Sequence, residues 1–135
     1  MTGGPREVVD VVAGLIRDER GRYLITRRRQ GTHLEGLWEF PGGKREPDES
    51  HGDALRRELC EELGARFTVG ELVETVRWPY PEKTVVLSFF HCRLESGVIE
   101  PQEGQLMEWV AAGDLHRYDF PPADAALLAR LAKLM

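Results

Sequence analysis

Three glutamates in one short segment are the residues of this chain with the clearest chemical potential. Glu58, Glu61 and Glu62 stand at positions i, i+3 and i+4, a spacing that places them on one face of an α-helix. Like charges at this spacing repel each other, so helix stability alone does not favour the arrangement. Oxygen ligands that converge on one spot are what a hard divalent cation such as Mg²⁺ requires. The pattern therefore predicts either a metal site or an acidic, solvated helix face.

The surroundings of the three glutamates favour the metal site. Arg57 directly precedes Glu58 and could hold its carboxylate in place, and Glu49 lies shortly upstream. The segment 40–43 (Phe-Pro-Gly-Gly) contains glycines, whose backbone can approach a metal ion or a phosphate closely. A nucleotide-binding P-loop is excluded, because the glycine pair is followed by Lys-Arg rather than by Lys-Ser or Lys-Thr.

The element that would carry the glutamates is a helix over residues 51–63. Ser50 is a favourable N-cap residue, and Gly64 stands where a helix commonly ends in a glycine. At roughly 100° per residue the apolar residues fall on a side next to the acidic face. That buried side would carry Leu55, Leu59 and Leu63.

Segments with the character of strands surround this helix. We expect strands over residues 8–16, 22–27, 38–40 and 106–110, and a hairpin formed by 67–78 and 84–92. The strand at 38–40 should stop at the Pro-Gly-Gly segment that follows it. A second helix should open at the proline pair 121–122 and bury Ala123, Leu127, Leu128, Leu131 and Leu134. Strands interleaved with two helices predict an α/β fold with a mixed sheet packed between helices.

Length and composition limit the class of protein. A chain of 135 residues fits one domain, which we expect to span residues 1–135. The 30% of charged and 41% of hydrophobic residues are typical of a soluble globular protein. No signal peptide is visible and no 18 apolar residues run together, so we expect no membrane partner.

Charge and cysteine content narrow the partners and the compartment. The net charge of −5 argues against a protein that coats nucleic acid, although bound cations would still allow a small polyanionic substrate. The only dense basic run, residues 27–29, is too short for a nucleic-acid surface. Cys60 and Cys92 form no C-x-x-C pair and are interpreted as reduced thiols of a cytoplasmic protein.

The segment that contains the glutamates also matches a known pattern. Gly43-x5-Glu49-x7-Arg57-Glu58-Leu59-x-Glu61-Glu62-x-Gly64-Ala65 resembles the complete signature of the Nudix hydrolase superfamily, and only Ala65 is small for its place. Segments 25–28, 38–44, 103–105, 108–109 and 119–124 resemble the MutT-like branch, whose members hydrolyse oxidised deoxynucleoside triphosphates such as 8-oxo-dGTP. The resemblance implies an α/β/α sandwich with a mixed central sheet. It also implies hydrolysis of a nucleoside triphosphate to a monophosphate and pyrophosphate with Mg²⁺, or alternatively Mn²⁺.

The resemblance assigns roles to individual residues. Metal ligation would fall to Glu58, Glu61, Glu62 and the Gly42 carbonyl, with Glu103 as a further ligand. Either Glu58 or Glu103 would be the general base, and Glu49 and Arg57 would orient the ligands. The phosphates would be contacted by Arg28, Lys44 and Lys83. Lys83 stands where the family often has arginine, so it keeps the charge but loses the two-pronged hydrogen bonding.

The base pocket is the part for which the sequence leaves alternatives open. Phe40, Tyr80 or Trp78 could stack on a base, but each aromatic could equally belong to the core. Asp124 stands where the MutT-like branch frequently has asparagine, and an ionised aspartate can only accept hydrogen bonds. It could accept from the N7–H of 8-oxoguanine or from the N4 amino group of cytosine. It could also be a first-turn residue that stabilises the helix dipole.

Several functions therefore remain open at the level of sequence. The first is hydrolysis of an oxidised purine triphosphate, in the sense of nucleotide-pool sanitation. The second is a pyrophosphohydrolase for (d)CTP or a modified pyrimidine triphosphate, a group that segment 46–50 also resembles. A non-catalytic module that senses nucleotides is disfavoured, because it would have no need of the intact glutamates. ADP-ribose or dinucleotide polyphosphates are less favoured substrates, and the protein is expected to be a monomer or a dimer.

Overall fold

The computed structural model describes residues 7–28, 30–31 and 35–133, so the expectations for Arg29 and Leu134 fall outside the described residues. The predicted elements occur in the predicted order. The strand Gly42–Lys44 and the 3₁₀ helix Ala112–Arg117 were not predicted. The elements are β1 (Glu7–Ile16), β2 (Tyr23–Arg27), β3 (Trp38–Glu39), β4 (Gly42–Lys44), α1 (His51–Leu63), β5 (Arg66–Pro79), β6 (Lys83–Ser96), β7 (Met107–Val110), the 3₁₀ helices Ala112–Arg117 and Pro122–Asp124, and α2 (Ala125–Lys133).

The described strands divide into two hydrogen-bonded sheets. The larger sheet has the order β4-β1-β6-β5, in which β1 and β6 are parallel and the other pairs are antiparallel. The smaller sheet has the order β3-β2-β7 and is antiparallel. The prediction of an α/β fold with a mixed sheet and helices is confirmed. The division into two sheets was not predicted, because hydrophobic periodicity identifies a strand but not its hydrogen-bonded neighbours.

Alternation along β1 builds a core on each face of the larger sheet. Successive side chains of a strand point to opposite faces. Val12 and Ile16 accordingly pack in the cluster that contains the leucines of α1, whereas Ala13 and Leu15 pack with Leu127 of α2. The two helices therefore cover opposite faces, which gives the α/β/α arrangement.

Both ends of α1 are set by the residues that the sequence singles out. The Ser50 side chain accepts a hydrogen bond from the Asp53 N–H at 3.1 Å, as an N-cap residue does. Gly64 adopts a left-handed conformation with φ 68° and donates its N–H to the Cys60 carbonyl at 2.9 Å. The predicted helix 51–63 is confirmed, and its register turns Leu55, Leu59 and Leu63 into the core.

The glycine pair after Pro41 forms a strand where the sequence predicted only the end of one. Gly42–Lys44 pairs with β1, with Val12 opposite Gly43. A Cβ on Gly42 would overlap the Val12 carbonyl oxygen, and a Cβ on Gly43 would overlap the Glu58 carboxylate. Only glycine can therefore pass between β1 and the acidic face of α1. The close approach requires glycine, and glycine is disfavoured in strands. A prediction based on propensity therefore missed β4.

The C-terminal region differs slightly from its prediction. The chain after the proline pair begins as the 3₁₀ turn Pro122–Asp124 and becomes α-helical at Ala125, a common way for a helix to start. Ala123, Leu127 and Leu131 are buried as expected, and Leu128 is half-buried.

Cys60 is exposed, Cys92 is buried, and both are free thiols. Neither α1 nor α2, the α-helices of the described chain, is long and apolar enough to cross a membrane.

Replacing Leu59 by alanine should destabilise the protein strongly. Leu59 is 0% exposed and lies between α1 and the larger sheet, so the truncation leaves a cavity. We expect the free energy of unfolding to fall by about 3 kcal/mol, as measured by urea denaturation. Leu106→Ala is the control, because Leu106 is 57% exposed and should change the stability by less than about 0.5 kcal/mol. Equal effects of the two variants would contradict the assignment of Leu59 to the core.

Candidate active site

An ion-pair network connects the loop before α1 to the first glutamate of the helix. Arg57 donates two hydrogen bonds to the Glu49 carboxylate, from Nε to Oε2 and from Nη2 to Oε1, each at 2.8 Å. Its Nη1 donates to Glu58 Oε2 at 2.8 Å, and its Nη2 also reaches the Lys44 carbonyl at 3.2 Å. The Arg57 guanidinium holds the pKa of Glu49 down at about 2. Arg57 thus fixes Glu58 relative to both the loop and β4.

The three glutamates of α1, Glu58, Glu61 and Glu62, differ in their surroundings. Burial raises the pKa of Glu62 to about 9, and the nearby carboxylates of Glu39, Glu58 and Glu103 raise it further in the same direction. Burial also raises the pKa of Glu58, against the opposing effect of Arg57, and Glu58 shares a hydrogen bond with Glu62. The Glu61 side chain is 57% exposed and lies 3.5 Å from Arg57 Nη1. The buried surroundings therefore disfavour the ionised forms of Glu58 and Glu62, whereas Glu61 borders the solvent.

The glutamates fit an oxygen-ligated divalent cation by the chemistry of their donors. Among the described residues no three carboxylate, imidazole or thiol side chains already converge as a preformed metal cage. The Glu58 carboxylate instead lies close to Arg57 and Glu62, and a bound cation would compete with these two residues for it. Gly43 leaves the space that the Glu58 carboxylate occupies, and the carboxylates around Glu62 repel one another. Carboxylate and carbonyl oxygens are the ligands that Mg²⁺ and Mn²⁺ prefer.

Glu103 is brought to this cluster by a short loop tied to the end of α1. The Gln105 side chain accepts from the Glu103 N–H at 3.0 Å and donates to the Glu62 carbonyl at 3.0 Å. The Gln102 N–H donates to the same carbonyl at 2.9 Å. The loop therefore faces the end of α1, and the Glu103 carboxylate contributes to raising the pKa of Glu62. Gln105 is a positioning residue to which the sequence analysis had given no role.

One cavity of about 480 Å³ collects most of the predicted site residues. It is bounded by β1, by the glycine pair of β4, and by residues from α1, β6 and the start of the C-terminal helical region. The predicted site residues that line it are Arg28, Phe40, Gly42, Lys44, Glu62, Tyr80, Lys83, Glu103 and Asp124. The other predicted site residues, Glu49, Arg57, Glu58 and Glu61, lie outside this lining.

Glu39 is a residue of this cavity that the sequence analysis missed. It lies on β3, and its Oε1 accepts a hydrogen bond from Arg28 Nη1 at 2.6 Å. Burial raises the pKa of Glu39, and Arg28 opposes the shift. Glu39 in turn raises the pKa of Glu62 and of Asp124, so it lies between the carboxylate cluster and the far part of the cavity. A charged residue between two aromatics in a short strand was the signal available in the sequence.

Asp124 is buried in the cavity and lies in the first helical turn, directly before α2. Its side chain is 4% exposed, and burial together with the Glu39 carboxylate raises its pKa to about 7, while Arg28 has the opposite effect. The sequence-based interpretation of Asp124 covers only its ionised form, and a pKa of about 7 adds the neutral form as a second possibility. A neutral carboxyl group offers one hydrogen-bond donor beside its acceptor, as an asparagine amide does. Tyr80 is close enough for Asp124 to raise its pKa in addition to the effect of burial.

The predicted stacking residues do not have equal access to the cavity. Phe40 is 3% exposed and packs edge-on against Tyr23 and Phe89, with ring-centroid distances of 6.4 and 6.0 Å, and tilted against Phe120 at 5.3 Å. These contacts favour a core role for Phe40 with at most part of its ring facing the cavity. Tyr80 is half-buried and lines the cavity, whereas Trp78 is half-buried outside the cavity lining.

Asp124→Asn should stabilise the protein in a pH-dependent manner. The native pKa of about 7 lies above the ordinary value of 3.8, so the wild type loses stability as the pH rises between these values. Asparagine does not titrate, so its advantage in the free energy of unfolding should grow by about 2 kcal/mol from pH 5 to pH 8. Denaturation at both pH values measures this difference. The exposed Asp119→Asn is the control, and a pH-independent effect of Asp124→Asn would refute the burial of a neutral carboxyl group.

Comparisons with known proteins agree with this geometry. Residues 12–130 match the family described as the NUDIX domain. The chain is 39% identical over 128 residues to an 8-oxo-dGTP diphosphatase of Haemophilus influenzae, covering 93% of both chains. It is 38% identical over 122 residues to a CTP pyrophosphohydrolase of Escherichia coli, covering 90% of both. A crystal structure of a MutT protein from Methanosarcina mazei superposes with a TM-score of 0.83 at 28% identity, covering 96% of both chains. The chain belongs to the NUDIX domain family of hydrolases.

Proposed function

We propose that this protein is a Mg²⁺-dependent nucleoside triphosphate pyrophosphohydrolase that acts on an oxidised substrate such as 8-oxo-dGTP. The observation that carries the proposal is a single cavity with three kinds of residue in order. The carboxylates of Glu62 and Glu103 adjoin Glu39 and Arg28, and these adjoin the buried Asp124. A metal-bound triphosphate, followed by a sugar and a base, has the matching order of charge and polarity.

The reaction asks the protein mainly to position the phosphates and to neutralise their charge. Bound Mg²⁺ would supply charge neutralisation at the phosphates and lower the pKa of a water molecule. Glu58, Glu61, Glu62, Glu103 and the Gly42 carbonyl would hold it, and Arg57 and Glu49 would keep Glu58 in place. Arg28, Lys44 and Lys83 supply positive charge along the phosphates. Attack at the β-phosphorus, which the family resemblance implies, would release a monophosphate and pyrophosphate.

Proton removal from the attacking water would fall to Glu58, with Glu103 as the alternative. Glu58 is held by Arg57 at 2.8 Å and lies against the glycine backbone of β4. A general base must stay within hydrogen-bond reach of the proton that it removes. The fixed position of Glu58 supports it over Glu103, which is exposed and lies on a loop.

The proposed substrate rests on Asp124 and on the relatives. A neutral Asp124 offers one donor and one acceptor, which match the O6 and the N7–H of 8-oxoguanine. Unmodified guanine presents two acceptors on that edge, O6 and N7, so the match would be lost. Cytosine also presents a donor and an acceptor, at N4 and N3. Together with the identity to a CTP pyrophosphohydrolase, this makes (d)CTP or a modified pyrimidine triphosphate the second candidate.

Location and assembly complete the proposal. Two free thiols, one of them exposed, support a reducing compartment and hence the cytoplasm. The nucleotide is the expected small-molecule partner, and the protein would act as a monomer or a dimer. No nucleic-acid polymer is included, because the cavity is sized for a single nucleotide.

A pyrophosphate-release assay with Mg²⁺ tests the substrate class. We expect kcat/KM for 8-oxo-dGTP to exceed that for dGTP by about 100-fold, because an unmatched buried polar group discriminates strongly. CTP, dCTP and 5-methyl-dCTP complete the panel. A preference for the cytosine nucleotides would replace the first candidate by the second. No turnover of any triphosphate would refute the proposed function and leave a diphosphate-linked substrate or a sensor.

Glu58→Gln should abolish most of the turnover without unfolding the protein. Glutamine keeps the shape of the side chain but removes the negative charge and the proton acceptor, so we expect kcat to fall by at least about 100-fold. Circular dichroism and thermal denaturation should show a folded protein. Glu71→Gln, at an exposed position of β5, is the matched control and should retain full activity. Turnover within about twofold of the wild type would show that Glu58 is neither the base nor an essential ligand.

A further inference from the structure

A cluster of three polar side chains, Asp10, Arg45 and His51, lies outside the cavity lining. Asp10 of β1 accepts two hydrogen bonds through Oδ2, from Arg45 Nε at 2.8 Å and from His51 Nε2 at 3.1 Å. The Arg45 N–H also donates to the Asp10 carbonyl at 2.9 Å, which extends the β1–β4 pairing by one residue. Asp10 thereby joins the first strand to the loop after β4 and to the first residue of α1.

The second oxygen of Asp10 makes this cluster unusual. Asp10 Oδ1 is buried and, alone among the buried side-chain oxygens and nitrogens of the described residues, has no hydrogen-bond partner. A buried polar atom without a partner opposes folding, so stability alone is a poor reason for a carboxylate at this place. An unsatisfied group of this kind calls for another explanation.

Arg45 carries the influence of Asp10 towards the glutamates. Its Nη1 donates to the Glu49 carbonyl at 2.8 Å, while its Nε is held by Asp10. The Glu46 N–H donates to Glu49 Oε1 at 2.9 Å, and the Glu49 N–H donates to the Glu46 carbonyl at 3.1 Å. The hydrogen bonds from Arg45 and Glu46 therefore fix both the main chain and the carboxylate of Glu49.

The path ends at Glu58. Glu49 holds Arg57 by two hydrogen bonds, and Arg57 holds Glu58 by one. We propose that Asp10 is a positioning residue: through Arg45 it sets the place of Glu49, and through Glu49 and Arg57 it sets the orientation of the Glu58 carboxylate. His51 binds the same oxygen and fixes the start of α1 in the same frame. The inference rests on the proposed function for its effect on turnover, but its geometric part does not.

Asp10→Ala tests the proposal in the full-length protein. We expect kcat to fall by about tenfold, the lower end of what outer partners of metal ligands contribute, and KM for the nucleotide to stay within about twofold. The NMR resonance of the Arg57 Nε–H group is assigned by its loss in Arg57→Lys. Measured without metal and nucleotide, it should shift in Asp10→Ala relative to the wild type. Asp10→Asn keeps an acceptor for Arg45 and His51 and should recover much of the loss.

The matched control is Asp18→Ala. Asp18 also accepts from an arginine Nε, that of Arg22 at 2.7 Å, but lies in the turn between β1 and β2. This variant should leave kcat and the Arg57 resonance at their wild-type values. In addition, Arg45→Met should reproduce the effect of Asp10→Ala, and the double variant should lose little more than either single one, because both act along one path.

Two results would overturn the positioning role. One is a fall in melting temperature of Asp10→Ala with an unchanged Arg57 resonance and unchanged kcat, which would make the cluster merely structural. The other is full additivity of Asp10→Ala and Arg45→Met. If the wild type hydrolyses no triphosphate, the proposed function fails, whereas the Arg57 resonance still decides the geometric part.

Discussion

The concentration of carboxyl groups around one partly buried cavity is the constraint on which the rest of this structure depends. Burial, together with the nearby carboxylates of Glu39, Glu58 and Glu103, raises the pKa of Glu62 to about 9. Removing carboxylates from water is costly unless their charge is compensated. The chain supplies part of this compensation through Arg57 and Arg28, and a bound divalent cation would supply the remainder. The carboxyl groups of this site are therefore a cost to the stability of the fold.

The frame that holds these charges is built from rigid elements and short connections. Helix α1 has both ends capped, and β4 passes between it and β1 because Gly42 and Gly43 have no side chains. Hydrogen bonds from Gln105 attach the Glu103 loop to the C-terminal end of the same helix. The glutamates thus come from α1, from β3 and from the Glu103 loop, and the relative placement of these parts determines the geometry of the site.

The sequence predicted the local features of this protein well and the non-local features poorly. The bounds of α1 follow from Ser50 and Gly64, and the acidic cluster follows from the spacing of Glu58, Glu61 and Glu62, because both depend on neighbours within one helix. The separation into two sheets and the pairing of β4 depend on contacts between distant segments, which periodicity does not encode. The protonation of Asp124 depends on burial and on Glu39, which no local pattern shows.

The parallel pairing of β1 with β6 has a consequence for the order in which the molecule can form. Glu7 pairs with Lys83, and in the smaller sheet Tyr23 pairs with Val110, so both sheets join the beginning of the chain to its later part. Such distant contacts cost loop-closure entropy and slow folding. During synthesis the first two strands cannot complete their pairing until β6 and β7 have left the ribosome. The cavity, which β1, β2 and β6 help to line, is therefore completed only after early and late segments of the chain have paired.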